Sequence, residues 1–143
     1  MNTLGGHQAT IFLVEEDDDA RPLLKRNLEA DGFRVLMALD EEDARDRLAG
    51  GRLRADLMLV NLVGVQPDEA LQAGRRIRQD AELDVPLVVM AEEYGADMEG
   101  KDVNAGGDDW ITYLEEHDQL TGLLSRLLGK PQTRDASRQA RSV

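Results

Sequence analysis

The sequence predicts an α/β domain in which a parallel sheet carries helices on both faces. Five short apolar runs recur along the chain, and segments with helical spacing lie between them. Strands that alternate with helices normally form a parallel sheet with right-handed crossovers. The second and third runs show little polar alternation, as expected when helices cover both faces of the sheet. The five predicted strands are residues 9–14, 34–38, 55–60, 85–91 and 110–114.

Four segments carry clear helical signals. They are residues 19–30, 40–48, 68–78 and 118–128. Asp40 and Asp68 are expected to cap the second and third of these helices. Gly74 lowers helix stability in the middle of the third, so we expect a strand to approach it closely. Residues 94–107 contain four glycines and few apolar side chains, which predicts only a short or irregular helix there.

Composition limits the class of protein. The chain has 143 residues, no cysteine and a net charge of −12. It is therefore long enough for one domain, cannot form disulfides or thiolate metal sites, and is not expected to bind nucleic acid. No apolar stretch is long enough to span a membrane, so we expect a cytoplasmic protein without a membrane partner. We predict a disordered N-terminus at 1–8, the domain at 9–129 and a disordered basic tail at 130–143.

Polar residues lie where the predicted strands end. Ligands of such sheets bind outside the carboxyl ends of the strands. Five consecutive acids, residues 15–19, follow the first run, while Asn61, Ala91 and Tyr113 end the third, fourth and fifth. One interpretation of the acids is a site for a hard cation such as Mg²⁺, which prefers oxygen ligands. The alternative is that Asp18 or Asp19 caps the first helix and the other acids are solvated.

Four segments resemble bacterial response-regulator receiver domains. They are Ile-Phe-Leu-Val-Glu-Glu-Asp at 11–17, Asp-Leu-Met-Leu-Val-Asn-Leu at 56–62, Pro-Leu-Val-Val-Met-Ala at 86–91 and Gly-Gly-Asp-Asp-Trp-Ile-Thr-Tyr at 106–113. The resemblance covers about residues 9–129. It implies a flavodoxin-like, doubly wound, five-stranded parallel sheet in the order 2-1-3-4-5, and a role in two-component signalling.

The resemblance also implies that the phosphorylation site is degenerate. Glu15 and Glu16 match the acid pair that holds Mg²⁺ in this family. Asn61 stands where the family has its phosphoryl-accepting aspartate, Ala91 where it has a hydroxyl residue, and Tyr113 where it has a lysine. An amide nitrogen is not a nucleophile towards phosphoryl donors. We therefore predict a pseudo-receiver.

The leading hypothesis is a stand-alone signalling module that is not an enzyme and acts through phosphorylation-independent protein contacts. Its partner would be a histidine kinase, a scaffold or a second copy. We expect no cofactor, although Glu16 and Asn61 remain weak candidates for Mg²⁺, and Tyr113 could instead close the site by donating its hydroxyl to Glu15 or Glu16. Two alternatives stay open: phosphorylation at an unusual acceptor such as Asp17, and a small-ligand sensor on the same scaffold.

A partner-binding face is implied by the same resemblance. Receivers contact partners through the fourth helix, the fifth strand and the last helix, and Tyr94, Met98 and Trp110 are predicted to lie near that face. Aromatic residues and methionine are enriched in interface cores. Ordinary core packing is the alternative explanation.

Overall fold

Residues 8–129 are described by a computed structural model. The predicted basic tail, and the predicted N-terminal segment apart from Gln8, lie outside the described residues. Within 8–129 no helix combines the length and the apolar character that crossing a bilayer requires.

A six-stranded sheet with helices on both faces forms the domain. The strands are β1 (Thr10–Glu15), β2 (Arg34–Ala38), β3 (Leu57–Asn61), β4 (Leu87–Ala91), β5 (Asp102–Gly106) and β6 (Asp109–Tyr113). The helices are α1 (Ala20–Ala30), α2 (Glu41–Leu48), α3 (Pro67–Ala81) and α4 (His117–Leu127). The order across the sheet is β2-β1-β3-β4-β6-β5, and only β5 runs antiparallel to its neighbour.

The sixth strand corrects the prediction. Five parallel strands have the predicted relative order, and the short, irregular helix expected in 94–107 is present as one 3-10 turn, but the strand that follows it was not predicted. A 3-10 turn at Ala96–Met98 is followed by β5, which pairs with β6 as a hairpin at the sheet edge. Gly106 and Gly107 adopt φ values of 118° and 56°, and this positive-φ turn reverses the chain. Glycines that weaken a helix are suited to such a turn.

Two apolar layers fill the space between the sheet and the helices. Alternate residues of a strand point to opposite faces, so Phe12 packs with α2 and α3, whereas Leu13 packs with α1 and α4. The prediction of helices on both faces is therefore confirmed. Gly74 also behaves as expected, because a Cβ there would lie 2.7 Å from Cδ1 of Leu87 on β4.

Of the two predicted N-cap residues, one is confirmed and the other is wrong. Asp40 caps α2 as predicted, since its Oδ1 accepts the Asp43 N–H at 2.8 Å. The prediction that Asp68 caps α3 is wrong, because Gln66 is the N-cap and Pro67 is the first helical residue. Proline suits this position because its fixed φ is helical and no N–H is required there.

A buried carboxylate holds the hairpin against α3. Asp109 is 6% exposed, and its Oδ1 lies 2.6 Å from Nη1 of Arg78. Its Oδ2 lies 2.9 Å from Nε of Arg75, whose Nη2 donates to the Ala105 carbonyl at 3.1 Å. The two arginines therefore connect α3 to both strands of the hairpin. We call Asp109, Arg75 and Arg78 the arginine clamp.

Candidate functional site

Glu15 and Asn61 meet at the carboxyl end of the sheet. They are register partners on adjacent parallel strands, and each is 1% exposed. The Asn61 Nδ2 lies 2.9 Å and 3.1 Å from the two carboxylate oxygens of Glu15. It also lies 2.7 Å from Oε2 of Glu92, which follows β4. One amide group is thus placed among three carboxylate oxygens, and we call Glu15, Asn61 and Glu92 the rim cluster.

The orientation of the Asn61 amide follows from this charge. Its NH₂ end carries partial positive charge and faces the carboxylates, whereas an oxygen in the same place would be repelled by them. The other end, Oδ1, is buried and has no hydrogen-bond partner within residues 8–129. Asn61 therefore donates hydrogen bonds to the two acids, and its Oδ1 accepts none within residues 8–129.

Burial raises the pKa of Glu15 above its ordinary value of 4.5. Hydrogen bonds from the Asn61 side chain and the Asp17 N–H oppose this rise, while the charges of Glu92 and Asp17 add to it. No arginine, lysine or histidine within 8–129 forms an ion pair with Glu15 or Glu92. Arg21, the neighbouring cation, is bonded to the Glu15 carbonyl at 2.8 Å and to Asp18.

The next two acids have separate structural uses. The Oε1 of Glu16 accepts the Val63 N–H at 2.7 Å. Asp17 accepts the Asp19 and Ala20 N–H groups at 2.9 Å and 3.2 Å, where α1 begins. The expectation that Asp18 or Asp19 caps α1 through its side chain is therefore wrong, because Asp17 supplies the oxygen.

Ala91 and Tyr113 also meet as register partners, at the ends of β4 and β6. Ala91 is 5% exposed and has no polar side-chain atom. The ring of Tyr113 packs edge-on against Tyr94, with centroids 5.6 Å apart, and the Tyr94 hydroxyl donates to the Leu114 carbonyl at 2.6 Å. Within the described residues the Tyr113 hydroxyl makes no hydrogen bond to the rim cluster or to Glu16, so the structure does not show the proposed closure by Tyr113.

Comparisons of sequence and of fold both find response regulators. Response regulator MprA of Mycolicibacterium vanbaalenii is 30% identical over 120 residues, which are 82% of this chain and 48% of that protein. A response regulator from Thermotoga maritima has a TM-score of 0.63 and 27% identity, covering 87% of this chain and all of that one. The chain is therefore similar to response-regulator receiver domains in both sequence and fold.

Two further facts bound this result. No family model matches the chain. The chain spans about half the length of the curated relatives it matches. Among solved structures, the receiver domain of sensor histidine kinase PA1611 from Pseudomonas aeruginosa, described with magnesium in its active-site cleft, has a TM-score of 0.60 and 22% identity and covers 87% of this chain and all of that one.

The side chains at this edge of the sheet do not form an Mg²⁺ site in the positions they occupy here. A cation needs oxygen ligands, yet the Asn61 amide presents its nitrogen to Glu15 and Glu92. Glu16, the other predicted ligand, is bonded to the Val63 N–H.

The predicted partner residues Tyr94 and Trp110 do not share one face of the sheet. Tyr94 packs against the apolar layer of α2 and α3, whereas Trp110 packs against that of α1 and α4. The guanidinium of Arg126 lies 5.8 Å from the Trp110 ring centroid. Met98 lies on the 3-10 turn before β5 and is partly buried.

Glu92 is the member of the rim cluster that the sequence analysis missed. The same strand-end rule that singled out Ala91 applies to the next residue, because a loop that follows a strand also lies at the carboxyl edge. An acid directly after the fourth apolar run was the available signal.

Proposed function

We propose that this receiver domain signals by binding a protein partner without being phosphorylated, and that it is not an enzyme. The observation that carries the proposal is the position of Asn61. Its side-chain nitrogen is occupied by Glu15 and Glu92 at the place where the family has a nucleophilic carboxylate. A partner would therefore bind a domain that does not alternate between a phosphorylated and an unphosphorylated form.

The charges of the rim cluster support the same proposal. A phosphoryl group beside Asn61 would bring negative charge next to Glu15 and Glu92, neither of which has an ion-pair partner within 8–129. Phosphoryl transfer depends on cations that stabilise charge on the transferring group. Mg²⁺ and a lysine supply that charge in receivers, and we propose that neither does so here.

The alternative acceptor Asp17 is poorly placed for phosphorylation. Its Oδ1 accepts two backbone N–H groups at the start of α1. Attack on a phosphoryl donor through this oxygen would break those bonds. We therefore do not favour Asp17 as an acceptor.

The small-ligand alternative has limited space beside the rim cluster. The adjoining cavity has a volume of about 220 Å³ and is lined in part by Val63, Met90, Ala91 and Glu92. Ligand pockets usually have volumes of about 300–1,000 Å³. The small volume of this cavity therefore favours a protein partner over a small ligand at this edge of the sheet.

The partner class stays the one expected from the resemblance: a histidine kinase, a scaffold or a second copy. The surface available to it differs from a helical receiver face, because the β5–β6 hairpin now forms this side of the domain. The outer edge of β5 pairs with no other described strand. A partner that contacts this side would meet a strand edge and not a helix.

Acetyl phosphate and mass spectrometry test the proposal. The full chain is incubated with acetyl phosphate and Mg²⁺, and its intact mass is measured. We expect no phosphoryl adduct. The matched comparison is a variant that combines Asn61→Asp, Ala91→Thr and Tyr113→Lys, which restores all three missing groups and is expected to gain an adduct.

Each outcome bears on the proposal. An adduct on the unmodified chain, mapped by peptide sequencing to Asp17 or to any other residue, would overturn it. A restored variant that folds but gains no adduct would contradict the assignment of those three positions as the altered site.

A further inference from the structure

Three arginines converge at the end of the sheet opposite the rim cluster. Arg34 is the first residue of β2, and Arg52 and Arg54 lie in the segment that leads into β3. They line one cavity of about 370 Å³. At about 3.3 Å per residue along β1, this cavity lies roughly 17 Å from the rim cluster.

These arginines have no carboxylate partner among the described residues, although the domain is acidic. Seven of the eleven arginines within residues 8–129 form ion pairs with acids. Arg34, Arg52 and Arg54 form none within that range, and all three are exposed. Like charges that share one cavity repel each other, and an anion between them would relieve that repulsion.

The cavity contains one acid that is already engaged. Oδ2 of Asp56 accepts the Thr10 N–H at 2.8 Å, at the start of β1. Among the described residues that line the cavity, three arginines and this aspartate give a net charge of +2. That value complements a dianion.

The other walls are apolar. Leu36, Leu53 and Ala55 line the same cavity and pack against the core layer of α2 and α3. A guanidinium group can hold two oxygens of a phosphate through parallel hydrogen bonds, and apolar walls suit an organic substituent. The volume is within the range of small-molecule sites.

We propose that this cavity binds a phosphate monoester, with the three arginines holding its phosphate and the leucines contacting its organic part. The site is independent of Asn61 and of the function proposed for the rim cluster. It assigns to the amino end of the sheet a ligand-binding role separate from phosphorylation.

Titration of the isotope-labelled full chain tests the proposal by NMR at constant ionic strength. The probes are inorganic phosphate, AMP and adenosine. We expect saturable shifts of the amides of Thr10, Leu36 and residues 52–56 with phosphate and with AMP, and none with adenosine. Tighter binding of AMP than of phosphate would support a monoester ligand, whereas equal binding would overturn the proposed contact between the leucines and an organic part.

Two variants sharpen the test. Arg52→Ala with Arg54→Ala should weaken binding at least tenfold, and the spectrum itself reports whether the variant is folded. Arg26→Ala is the matched control, because Arg26 is also exposed and has no ion-pair partner within 8–129. It should leave the affinity unchanged. Absence of saturable shifts at the cavity, equal shifts with adenosine, or equal weakening by Arg26→Ala would overturn the proposal.

Discussion

Glu15 and Asp109 are both almost fully buried, yet their surroundings are opposite. Asp109, at the start of β6, lies between the guanidinium groups of Arg75 and Arg78. Glu15, at the end of β1, shares one Asn61 amide nitrogen with a second carboxylate, Glu92. One acid is surrounded by positive charge, and the other by an amide and more negative charge.

The pKa values of the two acids move in opposite directions. Burial opposes ionisation of both. At Asp109 the hydrogen bonds and charges of Arg78 and Arg75 outweigh burial, so its pKa is lowered from 3.8. At Glu15 the bonds from Asn61 and Asp17 do not outweigh it, so its pKa is raised from 4.5. Burial alone therefore does not set the protonation of a carboxylate; its partners do.

The two acids have different roles: Asp109 stabilises the fold, whereas Glu15 belongs to the candidate functional site. Ionised Asp109 stabilises the β5–β6 hairpin through Arg75 and Arg78. Ionised Glu15 disfavours the folded state and is held where receivers perform their chemistry. Charge that costs stability at such a position is typical of a functional site or its remnant.

Removing the charge of Asp109 should have the largest effect. Asp109→Asn leaves the two arginines of the clamp without a carboxylate, and we expect the free energy of unfolding to fall by about 3 kcal/mol at pH 7. This is near the lower end for buried pairs, because the Arg75 side chain is 34% exposed. Urea denaturation measures the change. The control is Asp108→Asn, an exposed neighbour that should change stability little. A loss below 1 kcal/mol for Asp109→Asn would contradict the structural role.

A third carboxylate in the rim cluster should have the next largest effect. Asn61→Asp replaces the shared donor by an acceptor next to Glu15 and Glu92, and we expect a loss of about 2 kcal/mol at pH 7 in EDTA. Mg²⁺ should recover part of this loss, because the variant presents oxygen ligands together. The unmodified chain should show no Mg²⁺-dependent change. Denaturation with and without Mg²⁺ distinguishes these cases. Equal Mg²⁺ stabilisation of both proteins would contradict the conclusion that the unmodified site does not fit Mg²⁺.

Much of the fold could be predicted because its strands are local patterns. Apolar runs bounded by turns located five of the six strands. Strand β5 was not predicted because its sequence, Asp-Val-Asn-Ala-Gly, is polar and contains no apolar run. Its existence depends on pairing with β6 and on the turn at Gly106 and Gly107. Those glycines were visible as turn signals, but the sequence could not show that the turn closes a hairpin.

The site could be predicted only as far as strand ends determine it. The rule that parallel strands end at one edge brings Asn61 beside Glu15 and Tyr113 beside Ala91, as the structure shows. The bond of Glu16 to the Val63 N–H depends on a side-chain rotamer and a loop, which spacing does not encode. The arginine clamp joins residues more than thirty positions apart and gave no local signal.

The smallest expected effect concerns the charge of Glu15 itself. Because its folded-state pKa lies above the unfolded value of 4.5, the folded protein binds the proton more tightly than the unfolded chain. Stability attributable to Glu15 therefore falls as pH rises from 4.5 through the raised pKa, and the loss is complete above it. Asp109 acts in the opposite sense and only near and below pH 3.8, so it stays constant in this window.

Glu15→Gln removes that charge and keeps an oxygen that can accept from Asn61. We expect the variant to be more stable than the unmodified chain at pH 8, by about 1 kcal/mol, and the difference to shrink at pH 5. Urea denaturation at the two pH values measures it. Glu93→Gln is the control, because Glu93 is exposed and makes no ion pair within 8–129, so its effect should not depend on pH. A Glu15→Gln variant that is equally destabilised at both pH values would show that the ionised carboxylate contributes stability, and the contrast with Asp109 would then be lost.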